Sequence, residues 1–71
     1  MDITIRDEFI KLGQALKLAD LVSDGVEAKY VISDGLVKVN GDVDTRRGRK
    51  VYDGDIISYN GQEVKVVTGK E

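Results

Sequence analysis

The chain has 71 residues and a mass of 7.8 kDa, enough for one small domain over residues 1–71 and too few for two lobes enclosing a cleft. It contains no Cys and no His, which excludes disulfides, Ser-His and Cys-His nucleophile pairs, and zinc sites built on thiolate or imidazole. Eleven basic against thirteen acidic residues give a net charge of −2 and a pI near 5.0, a balance that, taken whole, speaks against a nucleic-acid binder.

In chain order, Ile3 and Ile5 alternate with Thr4 and Arg6, a short strand pattern. Leu12, Ala15, Leu16 and Ala19 then recur at i, i+3, i+4 and i+7, one face of a helix. Two starts are open for it. Asp7 could cap it early, or Gly13 could serve as N-cap with the helix beginning near Gln14. The second is preferred, with the first strand running on toward Ile10. The next helix is better marked. Asp24 followed by Glu27 has capping-box spacing, Ala28, Val31 and Ile32 form its apolar stripe, and Gly35 is a natural residue just past its end.

After Gly35 the period changes to two. Val37 and Val39 point one way, Lys38 and Asn40 the other, and Asn40-Gly41 is a tight-turn dipeptide. Val51-Tyr52 follows a basic stretch, Asp53-Gly54 is a turn, and Asn60-Gly61 joins a strand at 56–59 to one at 63–67. The expected fold is α+β: two short helices packed on a small antiparallel sheet of about four to five strands.

Charge is unevenly placed. From Lys38 to Lys50 five basic residues face two acidic ones, a local +3, while the rest of the chain carries six basic against eleven acidic, or −5. A positive spot on a negative body can hold a phosphate backbone and restrict how it docks. The competing reading of Thr45-Arg46-Arg47-Gly48-Arg49-Lys50 is an ordinary solvated loop. Asp53 and Asp55 flank a turn glycine and offer too few oxygens for a calcium loop, so no metal or cofactor is expected. No apolar run approaches the ~18 residues of a membrane span, and a cytoplasmic location without membrane contact is the expectation.

Three ordered segments carry a resemblance: Lys11-Leu12-Gly13-Gln14-Ala15-Leu16, Glu27-Ala28-Lys29-Tyr30-Val31-Ile32, and Gly35-Leu36-Val37-Lys38-Val39-Asn40-Gly41. With Arg46-Arg47-Gly48-Arg49-Lys50 and Gly54-Asp55, they make residues 3–67 similar to the RNA-binding domain named after ribosomal protein S-four, in its small stand-alone branch (YaaA/YbcJ type). The resemblance implies the alpha-L motif and the binding of structured RNA, chiefly ribosomal RNA or its assembly intermediates. It implies contacts from Lys11 before the first helix, Gln14 and Lys17 on it, and Lys29 on the second. Lys38 and Asn40 match the strand and turn, and Arg46, Arg47, Arg49 and Lys50 the basic loop. One departure stands out: many members have Ser-Arg entering the second helix, where this chain has Asp24-Gly25.

Arginine forks suit phosphate oxygens and lysine supplies a compact charge. Aromatic residues make up 6% of the chain, too few for a single-strand stacking platform, so recognition by RNA shape is expected. The expected protein is a monomeric binder with RNA as partner, no small-molecule substrate and no catalysis. The alternative is an adaptor that docks a basic protein through acidic residues such as Asp2, Asp7, Glu8, Asp20, Asp24, Glu27 and Asp34.

Overall fold

A computed structural model describes residues 1–69. Nine elements follow in order: β1 (Asp2–Ile5), β2 (Phe9–Lys11), α1 (Leu12–Leu18), α2 (Gly25–Ser33), β3 (Val37–Val39), β4 (Asp42–Val43), β5 (Lys50–Tyr52), β6 (Ile56–Tyr59) and β7 (Gln62–Thr68). Two short helices and an α+β arrangement were expected, and the structure has both. Five strands form one sheet in the order β1-β7-β6-β3-β4, while β2 and β5 form a separate antiparallel ribbon.

The hairpins follow from local chemistry. Asn40 and Gly41 have φ of 53° and 88°, and Asn60 and Gly61 have 53° and 77°. Positive φ at both central residues is the turn whose twist matches that of antiparallel strands. The sheet is mixed rather than wholly antiparallel, because β1 lies parallel to β7 with Ile3 opposite Val66. A parallel pair needs a crossover rather than a tight turn, and here almost the whole chain intervenes.

Two boundaries differ from the sequence reading. The first strand stops at Ile5, and Phe9–Lys11 is a strand of its own, paired with β5 rather than with the main sheet. Helix α1 begins at Leu12, with Lys11 as N-cap and Gly13 inside the first turn. No side chain among the described residues caps it; instead the Leu12 and Gly13 amides donate to the Arg49 and Arg47 carbonyls at 2.8 and 3.1 Å. The basic loop thus satisfies donors that a helix start leaves unpaired, which no local sequence pattern announces.

Helix α2 starts as its sequence indicates. The Glu27 amide donates to Asp24 Oδ1 at 2.9 Å, and Glu27 Oε1 accepts from the Ser23 amide at 2.7 Å. At its far end the Gly35 and Leu36 amides donate to the Ile32 and Val31 carbonyls, with Gly35 at φ 77°, a Schellman closure.

The core joins the helices to one face of the sheet. Leu12, Ala15 and Leu16 of α1 and Ala28 and Ile32 of α2 are fully buried, together with Val37, Val51 and Val66, and Ile57 and Val64 are nearly so. A fully buried aliphatic side chain of this kind contributes roughly 1.5–3 kcal/mol. No polar or charged residue is fully buried among the described residues, although the Asp44 side chain keeps only 10% of its surface exposed.

Candidate functional site

The α1–α2 pair leaves a groove on its outer side, and the loop between β4 and β5 closes one end of it. Lys11, Gly13, Gln14, Lys17, Gly25, Val26, Ala28, Lys29 and Arg47 line this hollow. Lys11 comes from the N-cap of α1, Gln14 and Lys17 from its exposed face, and Lys29 from α2 one residue past the buried Ala28. Arg47 comes from about 18 residues further along the chain, held there by its own carbonyl, which accepts from the Gly13 amide.

Four cations therefore meet in one concavity, and no carboxylate lines it among the described residues. The nearest acidic candidates by sequence, Asp24 and Glu27, are engaged as helix caps. Gly25 opens α2, and the Lys17 ammonium lies 4.0 Å from where a Cβ on Gly25 would be. Lys17 from α1 thus brings a charge to the α2 entry. Like charges held together in a low-acid concavity raise the local positive potential and attract a polyanion.

The basic loop does not present all its arginines alike. Asp44 accepts from Arg46 Nε at 3.0 Å and Nη2 at 2.8 Å, and from the Arg46 amide at 3.0 Å. It also pairs with Arg49 Nε at 2.7 Å. The Arg46 hydrogen bonds hold the Asp44 carboxyl below its ordinary value, and the same contact raises Arg46. The sequence reading placed Arg46 and Arg49 among the RNA contacts of the basic loop. Asp44 offsets part of their charge and fixes the loop between them, while Arg47 makes no ion pair among the described residues.

The remaining sequence candidates lie elsewhere. Lys38 lines a different hollow, with Leu36, Ser58 and Tyr59. Asn40 is engaged internally: its Nδ2 donates to Asp55 Oδ1 at 3.0 Å and its Oδ1 accepts from the Ile56 amide at 2.9 Å. Lys50 lies on the outer face of the β2–β5 ribbon, its Nζ 4.8 Å from the Phe9 ring centroid. Asp55 accepts from the Tyr52 amide at 2.8 Å within its turn, and Asp53 accepts from the Thr68 amide at 2.9 Å at the end of β7. Asp44 was the residue that sequence reasoning missed; Asp44-Thr45-Arg46 allows a side chain to fold back two residues, and that spacing was its only signal.

Residues 3–67 match the family model of the S4 domain. The chain is 49% identical over 59 residues to a probable ribosome maturation protein, RlbA, of Bacillus subtilis, covering 83% of both chains. It is 40% identical over 58 residues to the putative RNA-binding protein YbcJ of Escherichia coli, covering 82% of this chain and 83% of that one. The solution structure of E. coli YbcJ, described as having an alpha-L motif involved in RNA binding, superimposes with a TM-score of 0.72 at 34% identity, over 93% of this chain and 85% of that one. The crystal structure of ribosomal protein S4e from Thermoplasma acidophilum gives a TM-score of 0.62 at 27% identity, over 82% of this chain and 31% of that one.

Proposed function

The chain belongs to the S4 domain family, and from that premise we propose that it binds structured RNA through the hollow between α1, α2 and the Arg47 loop. The observation that carries this reading is the convergence of Lys11, Lys17, Lys29 and Arg47 on one concave surface with no carboxylate lining it among the described residues. Four cations in one concavity suit a folded phosphate backbone, and Gln14 among them offers both a donor and an acceptor for a 2′-hydroxyl or base edge. The anionic remainder of the surface then discourages other docking orientations.

We take the RNA to be ribosomal RNA or a ribosomal assembly intermediate, bound by a cytoplasmic monomer that performs no catalysis itself. The name of the B. subtilis relative, a probable ribosome maturation protein, supports that choice. Arg47 and the three lysines are the proposed principal contacts, with Gln14 beside them. Arg46 and Arg49 act as loop-shaping residues with a share of the field, and Lys38, Asn40 and Lys50 lie outside the hollow.

Crosslinking the protein to RNA in cells and sequencing the attached fragments tests this. Enrichment of ribosomal RNA that disappears in Arg47→Glu and Lys29→Glu is the expected result. Fragments without ribosomal enrichment, or enrichment untouched by both changes, would overturn it. Capture of a basic protein that survives both changes would favour the adaptor reading instead.

A further inference from the structure

We propose that the outer face of the β2–β5 ribbon is a subsite for one unpaired nucleotide adjoining the RNA held in the hollow; this rests on the RNA-binding reading above. Register fixes which side chains share that face. Phe9 is opposite Tyr52, Ile10 opposite Val51 and Lys11 opposite Lys50. Alternation along a strand sends neighbours to opposite faces. Val51 is fully buried and Ile10 packs on the core, so Phe9, Lys11, Lys50 and Tyr52 lie together on the outside.

The four form an aromatic pair beside a lysine pair. The Phe9 and Tyr52 rings have centroids 6.0 Å apart and an interplanar angle of 52°. Tyr52 is 43% exposed, and Phe9 is half-buried. Lys11 and Lys50 are register partners, so two like charges leave the same face from opposed positions, a pairing that is unfavourable by itself and that an anion would relieve. The Lys50 ammonium lies over the Phe9 ring at 4.8 Å. An exposed contact of that type is weaker than stacking of a base on an aromatic ring. A base therefore displaces the ammonium from the ring, and the nucleotide's own phosphate receives it.

Two features set the size and polarity of the subsite. Lys11 also lines the basic hollow, so the hollow and the ribbon face share a residue and adjoin. Beyond Tyr52 lies a depression lined by Asp7, Glu8 and Asp53 with Arg6 among them, three carboxylates against one guanidinium. Those carboxylates repel a continuing phosphodiester chain. The occupant is one nucleotide, its phosphate between Lys11 and Lys50 and its base on Phe9 and Tyr52. The aromatic residues are few for the whole chain, yet folding puts two of the four side by side.

The test is an NMR titration with adenosine monophosphate against ribose 5-phosphate, which lacks the base. The monophosphate is expected to move the Phe9 and Tyr52 ring resonances upfield together with the Lys11 and Lys50 side-chain signals, and ribose 5-phosphate the lysines alone. Equal responses to the two compounds, or no ring response, would overturn the proposal. As a second measurement, an RNA hairpin ending in one unpaired nucleotide should bind about 5- to 150-fold more tightly than its blunt form. That gain should vanish in Tyr52→Ala and persist in Tyr52→Phe; a gain that survives Tyr52→Ala counts against the subsite. Failure of the blunt hairpin to bind in a salt-dependent way strikes the RNA-binding reading instead, which the mononucleotide titration does not depend on.

Discussion

The side chain of Arg47 packs directly against Gly13: its Cγ lies 2.8 Å from where a Cβ on Gly13 would be, while the Gly13 amide donates to the Arg47 carbonyl. Glycine at this point of α1 is therefore a matter of space for the arginine. One contact links the start of a helix to the cation that closes the basic hollow.

Gly13→Ala should separate stability from binding. Alanine is the better helix former by about 1 kcal/mol, which offsets the displacement of Arg47. Melting should stay within about 5 °C of the parent. RNA affinity should fall, by up to the ~1.5–3 kcal/mol of a charge-assisted hydrogen bond, because Arg47 is pushed off its position. Thermal melting and fluorescence anisotropy on the same samples check both halves.

Arg47 should matter more than Arg46, although the two are adjacent. Arg46 is held by Asp44, so Arg46→Ala removes a charge already partly compensated. Arg47→Ala should weaken binding about 10-fold or more and make the salt slope shallower by about 1. For the parent, four cations on phosphates give a slope of log K against log salt of roughly −3 to −4. Equal losses from the two substitutions would contradict the geometry of the loop.

Asp44 predicts a pH signature. Its folded pKa is depressed, first by the hydrogen bond from Arg46. A depressed carboxylate contributes stability that is fully present above its unfolded value of about 3.8 and is lost as pH falls through the lower folded value. The melting difference between the parent and Asp44→Asn should thus hold steady from pH 7 to about pH 5 and close at lower pH. The same substitution releases Arg46 and Arg49, so its RNA binding should show a steeper salt slope than the parent's.

Asn40→Ala should destabilise without touching RNA affinity. It removes the two hydrogen bonds to Asp55 and Ile56 and puts alanine at a φ of 53°, where a side chain costs roughly 1–2 kcal/mol. Asn40→Gly should recover the backbone part of the loss. Chemical denaturation of the three proteins, with binding measured where all are folded, separates these effects.

Truncating Ile32 should approach complete unfolding. Ile32 has no exposed surface, and an Ile→Ala change at such a site costs about 2–5 kcal/mol. A domain of this length holds only roughly 4–11 kcal/mol in total. Calorimetry of Ile32→Ala should find a melting point lowered by 10 °C or more, or no cooperative transition.

The sequence by itself determined whatever depends on neighbours along the chain. The Asp24 cap of α2, the Gly35 closure, the two Asn-Gly hairpins and the valines of β3 follow from spacing and side-chain type, because capping, turn and alternation rules act within a few residues. The ordered motifs carried the family resemblance as well. Only the tertiary structure decided what depends on distant segments. The parallel β1–β7 pair, the split of the first strand at Ile5, and the start of α1 at Leu12 all rest on partners more than thirty residues away. So does the sorting of the cations: Arg47 joins Lys11, Lys17 and Lys29, while Asp44 holds Arg46 and Arg49. Electrostatics acts through space, and a list of charges in order does not say which of them will meet.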